Sequence, residues 1–336
     1  MKAVIYEEYG RPDVLRLREV EKPVSRDNEV LIKVHAASLN TADLHLLKAD
    51  PFIARLYSGL FKPKLNILGA DIAGTVEDVG RNIKQFKTGD EVFGGLFESG
   101  MGGLAEYVCA RENSMVVKPS NISFEEAAAI PMAAVTALQG LRDKGKIQSG
   151  QKVLINGASG GVGTFAVQLA RIFGAVVTAV CSTGNLEMAR SLGAEYVIDY
   201  TKEDFTRNGQ SYDLILAVNG FHSLSDYARA LSPSGKYVMV GGTNAQIFQA
   251  MLMGPWKSMS SKKKMGALTA KTTQKDLVFV KELVETGKMR VTIDRRYPLS
   301  ETVQAFRYLE EGHARGKVVV TIGSDARDHQ DLPGVR

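Results

Sequence analysis

The hydrophobic positions of this chain change their period near Ser123. From Met1 to about Pro119 they form short apolar or alternating runs: Ala3 to Tyr6, Glu29 to His35, Ile72 to Val79, Glu91 to Gly94 and Ala105 to Ala110. Gly-Asp, Lys-Pro and Gly-Gly turns punctuate them. Alternation turns one face of each run inward and predicts strands, and many short strands with few helices predict a barrel-like β domain. Between Ser38 and Leu60 the period lengthens, for a helix or irregular segment carrying Asp43, His45 and Lys48. At Ser123 a good N-cap precedes Glu125 and Glu126, whose charges suit a first helical turn. The alanine-rich helix predicted there is interrupted at Pro131 and followed by a second one toward Leu141.

Strand and helix patterns then alternate. Strands are predicted at 152–156, 176–180, 196–198, 214–218 and 237–240, with helices after the first, over 185–192 and over 224–231. Such alternation predicts a parallel, doubly wound sheet, a Rossmann-type domain spanning about 121–270. A helix over 274–286, a strand around Val291, a helix over 301–311 and a strand over 317–322 follow, and the polar tail 324–336 reads as a flexible end. The fold class is α/β, with a mostly β domain beside the Rossmann-type one.

The stretch that organises the chain is KVLINGASGGVGTFAVQLARIFG, Lys152 to Gly174. Val153, Leu154 and Ile155 make the strand, and Val167, Leu169 and Ile172 recur at helical spacing after the loop. Glycines at such a junction let the chain turn tightly and bring helix N-terminal N–H groups close to a pyrophosphate. Ala158, Gly160 and Gly163 stand where a dinucleotide fingerprint has its three glycines. Ser159, Gly161 and Val162 complete the loop, which Gly157 and Gly161 keep permissive.

Composition narrows the class. Of 336 residues, enough for two domains, 44% are hydrophobic and 24% charged, which describes a globular chain. The net charge of +5 is too small and too dispersed for a dedicated nucleic-acid binder. The one basic cluster, Lys262 to Lys264, reads as a solvated loop. Two cysteines, Cys109 and Cys181, without CxxC spacing, build neither a disulfide framework nor a cysteine-rich zinc lobe, and they suit a reducing compartment. No signal-peptide core and no membrane-length apolar run is present, so a cytoplasmic protein without a membrane span is expected. The Met-rich stretch Gln246 to Ser261, with the single Trp256, reads as core, substrate mouth or subunit interface.

Seven phrases, in order, carry a resemblance: NTADLH (40–45), GADIAGTVEDVG (69–80), FKTGDEVFG (86–94), AAAIPMAAVTALQGL (127–141), NGASGGVG (156–163), SLGAEYVIDY (191–200) and HARGKVVV (313–320). They resemble the medium-chain dehydrogenase/reductase superfamily, in its zinc-free quinone-oxidoreductase-like branch. The resemblance implies a GroES-like catalytic domain from both chain ends, 1–120 and 271–323, around a nucleotide-binding domain over 121–270, with the active site in the cleft between them. It also implies a homodimer as a common state. In zinc-dependent relatives a cysteine ligand stands at the place of Asn40, and Gly-His-Glu at the place of Gly69, Ala70 and Asp71. An amide and a methyl group cannot replace thiolate and imidazole, so no metal is expected.

The end of the next strand carries Cys181, Ser182 and Thr183 rather than the acid expected of an NAD-preferring chain, which favours NADPH over NADH. The resemblance adds Asn185 and Tyr200 beside a 2′-phosphate, Thr136 and Asn219 near the nicotinamide, Gly241 and Gly242 in a turn under the ring, and Lys317 near the pyrophosphate. Lys202 stands in for the basic residue that relatives place near Gly184. For the substrate, Asn40 and His45 are the expected hydrogen-bond donors and catalytic residues. Asp43 and Phe93 are the expected substrate-side residues, although loop fixing for Asp43 and core packing for Phe93 are open alternatives.

The reaction expected is hydride transfer to a quinone or an α,β-unsaturated aldehyde or ketone. Hydrogen-bond donors would take the place of a metal at the oxygen that gains charge. Alternatives are an enoyl-thioester reductase, a zinc alcohol dehydrogenase, or a nucleotide-binding relative without catalysis, such as a sensor or a crystallin-like protein.

Overall fold

In a computed structural model, residues 1–52, 54–64, 66–219, 222–241 and 262–323 are described. Gly242, the Gln246 to Ser261 stretch and the tail from residue 324 lie outside them. The chain divides into two units, one drawn from Met1–Met132, Thr272–Glu285 and Ile293–Arg336, the other from Ala133–Lys271 and Thr286–Thr292.

The first unit opens with the hairpin β1 (Lys2–Ile5) and β2 (Arg16–Glu19) and the long strand β3 (Glu29–Leu39). Helices α1 (Thr41–Lys48) and α2 (Ala54–Ser58) follow, then strands β4 (Asp71–Val79), β5 (Glu91–Gly95), β6 (Tyr107–Arg111) and β7 (Met115–Val117). The short helix α3 (Phe124–Ala128) is capped as its sequence predicts: the Ser123 hydroxyl accepts from Glu126 N, and Glu126 returns a carboxylate oxygen to Ser123 N. It packs on β3 and β4, with the Phe124 ring 4.3 Å from that of His35. That packing places it in this unit, whose first stretch runs to Met132.

Helix α4 (Pro131–Leu138) runs on through a π-helical turn over Gln139–Lys144. The second unit then alternates β8 (Lys152–Asn156), α5 (Gly161–Ile172), β9 (Val176–Cys181), α6 (Leu186–Ser191), β10 (Tyr196–Asp199), β11 (Tyr212–Ala217), α7 (Leu224–Ala230), β12 (Leu231–Met239) and β13 (Lys264–Ala267). Its sheet has the order β10-β9-β8-β11-β12-β13, parallel throughout, the doubly wound arrangement that the alternation predicts. β13 corrects the reading of Lys262 to Lys264 as a loop. Lys264 opens an edge strand beside Lys236 of β12, and Lys263 donates to Ala228 O. Edge strands tolerate lysine because it discourages further pairing. Leu154, Val180, Ile215, Tyr227 and Tyr237 lie in the core, and the Tyr227 hydroxyl accepts from buried Asn156 at 2.8 Å.

The chain then returns to the first unit with α8 (Gln274–Glu285), β14 (Ile293–Pro298), α9 (Thr302–Glu310) and β15 (Lys317–Thr321). The barrel sheet has the order β14-β15-β3-β4-β5-β7, with β6 also on β3. All its pairs are antiparallel except β14 with β15. β15 therefore lies inside the sheet, although it comes last, and all five of its residues are buried. Leu39, Leu47, Leu68, Ile72, Phe306 and Val318 fill the core beneath it.

Candidate functional site

The second unit places the fingerprint turn, Ser182, Thr183, Asn185, Tyr200, Asn219 and Gly241 after the carboxyl ends of its strands, where open parallel sheets bind ligands. At the end of β8, Gly157 has φ +85°, and a Cβ on Gly163 would lie 2.1 Å from the Gly157 carbonyl oxygen. Both glycines are thus demanded by the fold. Gly160 is different. Its backbone is extended (φ −81°, ψ 177°), and an added Cβ would meet nothing nearer than 3.8 Å, so neither strain nor crowding within the chain calls for glycine. It caps α5, whose first turn leaves the amides of Gly161, Val162 and Gly163 without intrahelical acceptors. An open backbone beside unpaired donors fits a dinucleotide pyrophosphate. Ala158 is buried and Ser159 half-buried in the same turn.

Asn219 follows β11, across the strand reversal, and its backbone lies against Gly157: a Cβ there would be 2.7 Å from Asn219 O. Gly241, after β12, approaches Val218 O as closely, 2.5 Å from its would-be Cβ. Thr136 is buried on α4. At the end of β9, Ser182 accepts from Asn185 Nδ2 (3.0 Å), and Asn185 Oδ1 is buried without a hydrogen-bond partner among the described residues. Tyr200 is exposed beyond β10. The absence of an acid next to Ser182 and Thr183 is corrected here. Asp199, at the end of β10 and in register with Cys181, accepts from the Thr183 hydroxyl at 2.5 Å. The hydroxyl donors of Thr183 and Thr201 hold its carboxyl below the usual carboxylate range.

The first unit joins Asn40, Asp43 and Lys317 with Asp71 in a buried polar cluster. Asn40 is the N-cap of α1, and Asp43 closes a capping box by accepting from Asn40 N (2.8 Å). The other Asp43 oxygen accepts from Gly69 N (3.0 Å). The Asn40 amide donates to Asp71 Oδ2 (3.0 Å) and Ser38 O (3.4 Å) and accepts from the Lys317 ammonium (2.5 Å). Lys317 also donates to Leu39 O (3.0 Å) and lies 4.0 Å from Asp71, which accepts from Met132 N. Burial raises Asp43 and Asp71 to about 6 and lowers Lys317.

Two expectations change here, those for Asn40 and Lys317, and for Asp43 and Phe93 the structure favours the alternatives left open. Both amide hydrogens of Asn40 are directed into the protein, so it holds its neighbours and does not offer a donor to substrate. Asp43 fixes the entry to α1. Lys317 is enclosed in β15 and bonded within the barrel, not exposed for a pyrophosphate. Phe93 is fully buried and packs the core. His45 alone of the four expected substrate-side residues keeps a surface. Its Nδ1 is 2.5 Å from Asp50 O, and a carbonyl only accepts, so Nδ1 carries the proton. Nε2 is then an acceptor in neutral imidazole and a donor in imidazolium. Asp71 was not among the expected site residues. Its signal was an acid directly before the apolar residues Ile72 and Ala73, at the buried end of its strand.

Among the described residues, no group of three or more His, Cys, Asp or Glu side chains is placed to hold a metal ion. At the place where zinc-dependent relatives have ligands, the chain offers Asn40, Ala70 and an Asp71 already bonded to an amide and a backbone N–H.

A family model described as "Alcohol dehydrogenase GroES-like domain" matches residues 26–120, and one described as "Zinc-binding dehydrogenase" matches 192–320. The chain is 38% identical over 335 residues to a 2-methylene-furan-3-one reductase of Solanum lycopersicum, covering 95% of this chain and 79% of that one. The chain is a medium-chain dehydrogenase/reductase of the quinone-oxidoreductase-like branch. Another member of this superfamily, an NADPH-dependent alkenal/one oxidoreductase of Arabidopsis thaliana, is 35% identical, with 95% and 79% covered. The solved quinone oxidoreductase of Coxiella burnetii superposes with a TM-score of 0.84 at 33% identity, over 96% of this chain and 99% of that one. This medium-chain reductase is accordingly an oxidoreductase. No helix among its described residues is long and apolar enough to cross a membrane.

Proposed function

We propose that this chain is an NADPH-dependent reductase of quinones or of α,β-unsaturated aldehydes and ketones, and that it works without a metal. The observation that carries the reading is the buried cluster of Asn40, Asp71 and Lys317. It uses Asn40, at the place of a zinc-ligating cysteine, and Asp71, at the place of the Glu in the Gly-His-Glu phrase, for internal hydrogen bonds, while the open turn at Gly160 suits a dinucleotide. The names of the relatives from Solanum, Arabidopsis and Coxiella support the same substrate range.

NADPH supplies the hydride when bound. The amides of Gly161, Val162 and Gly163 would hold its pyrophosphate, and Asn219 and Gly241 would border the nicotinamide end. A conjugated carbonyl suits the barrel side because the charge that builds on its oxygen as an enolate can be met by one hydrogen-bond donor. His45 as imidazolium can donate from Nε2 to that oxygen, while Asp50 O keeps the ring oriented. The cluster beneath α1 holds the helix start that presents His45.

The test follows NADPH absorbance with a panel of quinones, enals and enones, before and after exhaustive treatment with a chelator. Turnover of a conjugated carbonyl that survives the chelator is expected. Loss of turnover that added zinc restores would overturn the metal-free mechanism, and no turnover on any member of the panel would overturn the substrate class.

A further inference from the structure

We propose that Asp199 sets the cofactor preference of this chain, acting against the 2′-phosphate and thereby narrowing the gap between NADPH and NADH. The inference rests on the reading of the second unit as an NAD(P)H site. Doubly wound folds read the adenosine ribose at the end of the second strand, where a carboxylate bonds the free 2′-hydroxyl and repels a phosphate. In this chain that strand end carries the Cys181 thiol. The neighbouring strand supplies the carboxylate instead, since Asp199 pairs in register with Cys181.

The hydrogen bonds around Asp199 decide what the pocket can offer a phosphate. Thr183 donates its hydroxyl proton to Asp199 Oδ2 (2.5 Å), and Thr201 donates from both N (3.0 Å) and Oγ1 (2.7 Å) to Oδ1. Thr183 therefore turns oxygen lone pairs, not a proton, toward anything placed beside it. The buried, unpartnered Oδ1 of Asn185 is likewise an acceptor, and its complement is a hydroxyl donor such as a ribose rather than a phosphate oxygen. Lys202, an exposed cation beside the carboxylate, has its ammonium 3.7 Å from Asp199 Oδ2, so part of its charge is spent on the acid. Replacing Asp199 with Asn removes the repelling charge and frees Lys202 at the same time.

The experiment measures dissociation constants of NADH and NADPH by quenching of intrinsic fluorescence, together with those of 5′-AMP and 2′,5′-ADP by calorimetry. The proteins are the wild-type chain, Asp199→Asn, Lys202→Ala and the double variant. Asp199→Asn is expected to raise the NADH/NADPH ratio of dissociation constants at least about fivefold, and Lys202→Ala to reduce NADPH affinity more when combined with Asp199→Asn than in wild type. The wild-type chain is expected to separate 2′,5′-ADP from 5′-AMP by less than about tenfold, a measurement that needs no variant to fold. A ratio unchanged in Asp199→Asn, or a wild-type separation beyond a hundredfold, overturns the proposal while leaving the NAD(P)H reading in place. Binding of neither dinucleotide overturns both.

Discussion

Lys317 is the cation of a buried cluster with two carboxyl groups, and replacing it with Met should leave a signature that depends on pH. The folded chain places Nζ 2.5 Å from Asn40 Oδ1, 3.0 Å from Leu39 O and 4.0 Å from Asp71. Removing one partner of a buried ion pair costs about 3–5 kcal/mol, because the remaining charge stays desolvated. That figure applies where Asp43 and Asp71 are ionised. Burial has carried both from 3.8 to about 6, so between about pH 4 and 6 the folded state holds protons that the unfolded chain releases. Stability then falls as pH rises through that window, by at most about 3 kcal/mol per carboxyl. Lys317 has the opposite slope on the alkaline side, where the unfolded lysine still holds a proton that the folded one sheds.

Below about pH 6 the folded acids are mostly neutral, and Lys317→Met loses only its hydrogen bonds, about 1 kcal/mol each. We therefore expect a loss of about 3–5 kcal/mol at pH 8 and about 2 kcal/mol at pH 5, from urea midpoints at constant slope. Adding Asp71→Asn should restore part of the loss at pH 8 and little at pH 5. An equal loss at the two pH values, or one below about 1 kcal/mol at pH 8, would refute the argument that Lys317 compensates buried charge.

Three further outcomes are open to measurement. Gly163→Ala forces a Cβ to 2.1 Å from a backbone oxygen with no flexible neighbour to yield. It should lose about 2–3 kcal/mol despite alanine's better helix propensity, and a thermal midpoint within about 2 °C of wild type would show that the turn can open. His45→Ala should lower kcat on an enal about a hundredfold and leave NADPH affinity unaltered, whereas retained kcat removes His45 from the chemistry. Tyr227→Phe, which leaves the buried Asn156 amide without its 2.8 Å partner, should cost about 1–2 kcal/mol in denaturant unfolding; no change would mean that the amide finds another acceptor.

The glycine turn and the alternation of strands and helices in the second unit were legible because both are local: the turn's glycines and the change of period around them lie within about two dozen residues. The barrel cluster was not. Lys317 heads an apolar run and the resemblance puts it near a pyrophosphate, whereas the insertion of β15 between β14 and β3 encloses it. Asn40 was expected as a donor to substrate, yet its direction depends on Asp71 and Lys317, which pairing across the sheet brings to it. Asp199 was hidden in the same way, since its closeness to Thr183 follows from the register of β9 and β10 and not from sequence spacing. Phe93 alternates like a pocket residue, and its complete burial is settled by neighbours on other strands.

The position of β15 also bears on the order in which the chain can fold as it is made. Its lysine reaches back 278 residues to Leu39, and its backbone covers an edge of β3 that has been waiting since the beginning of synthesis. The parallel sheet ends at β13 and can be complete on the ribosome while the barrel still lacks an inner strand. Until Lys317 emerges, Asn40 and Asp71 have no cation and β3 has an open ladder, so an interrupted chain exposes a sticky edge and unpaired acids together. Among the described residues, the strand translated last is the one that fills the inside of the barrel sheet.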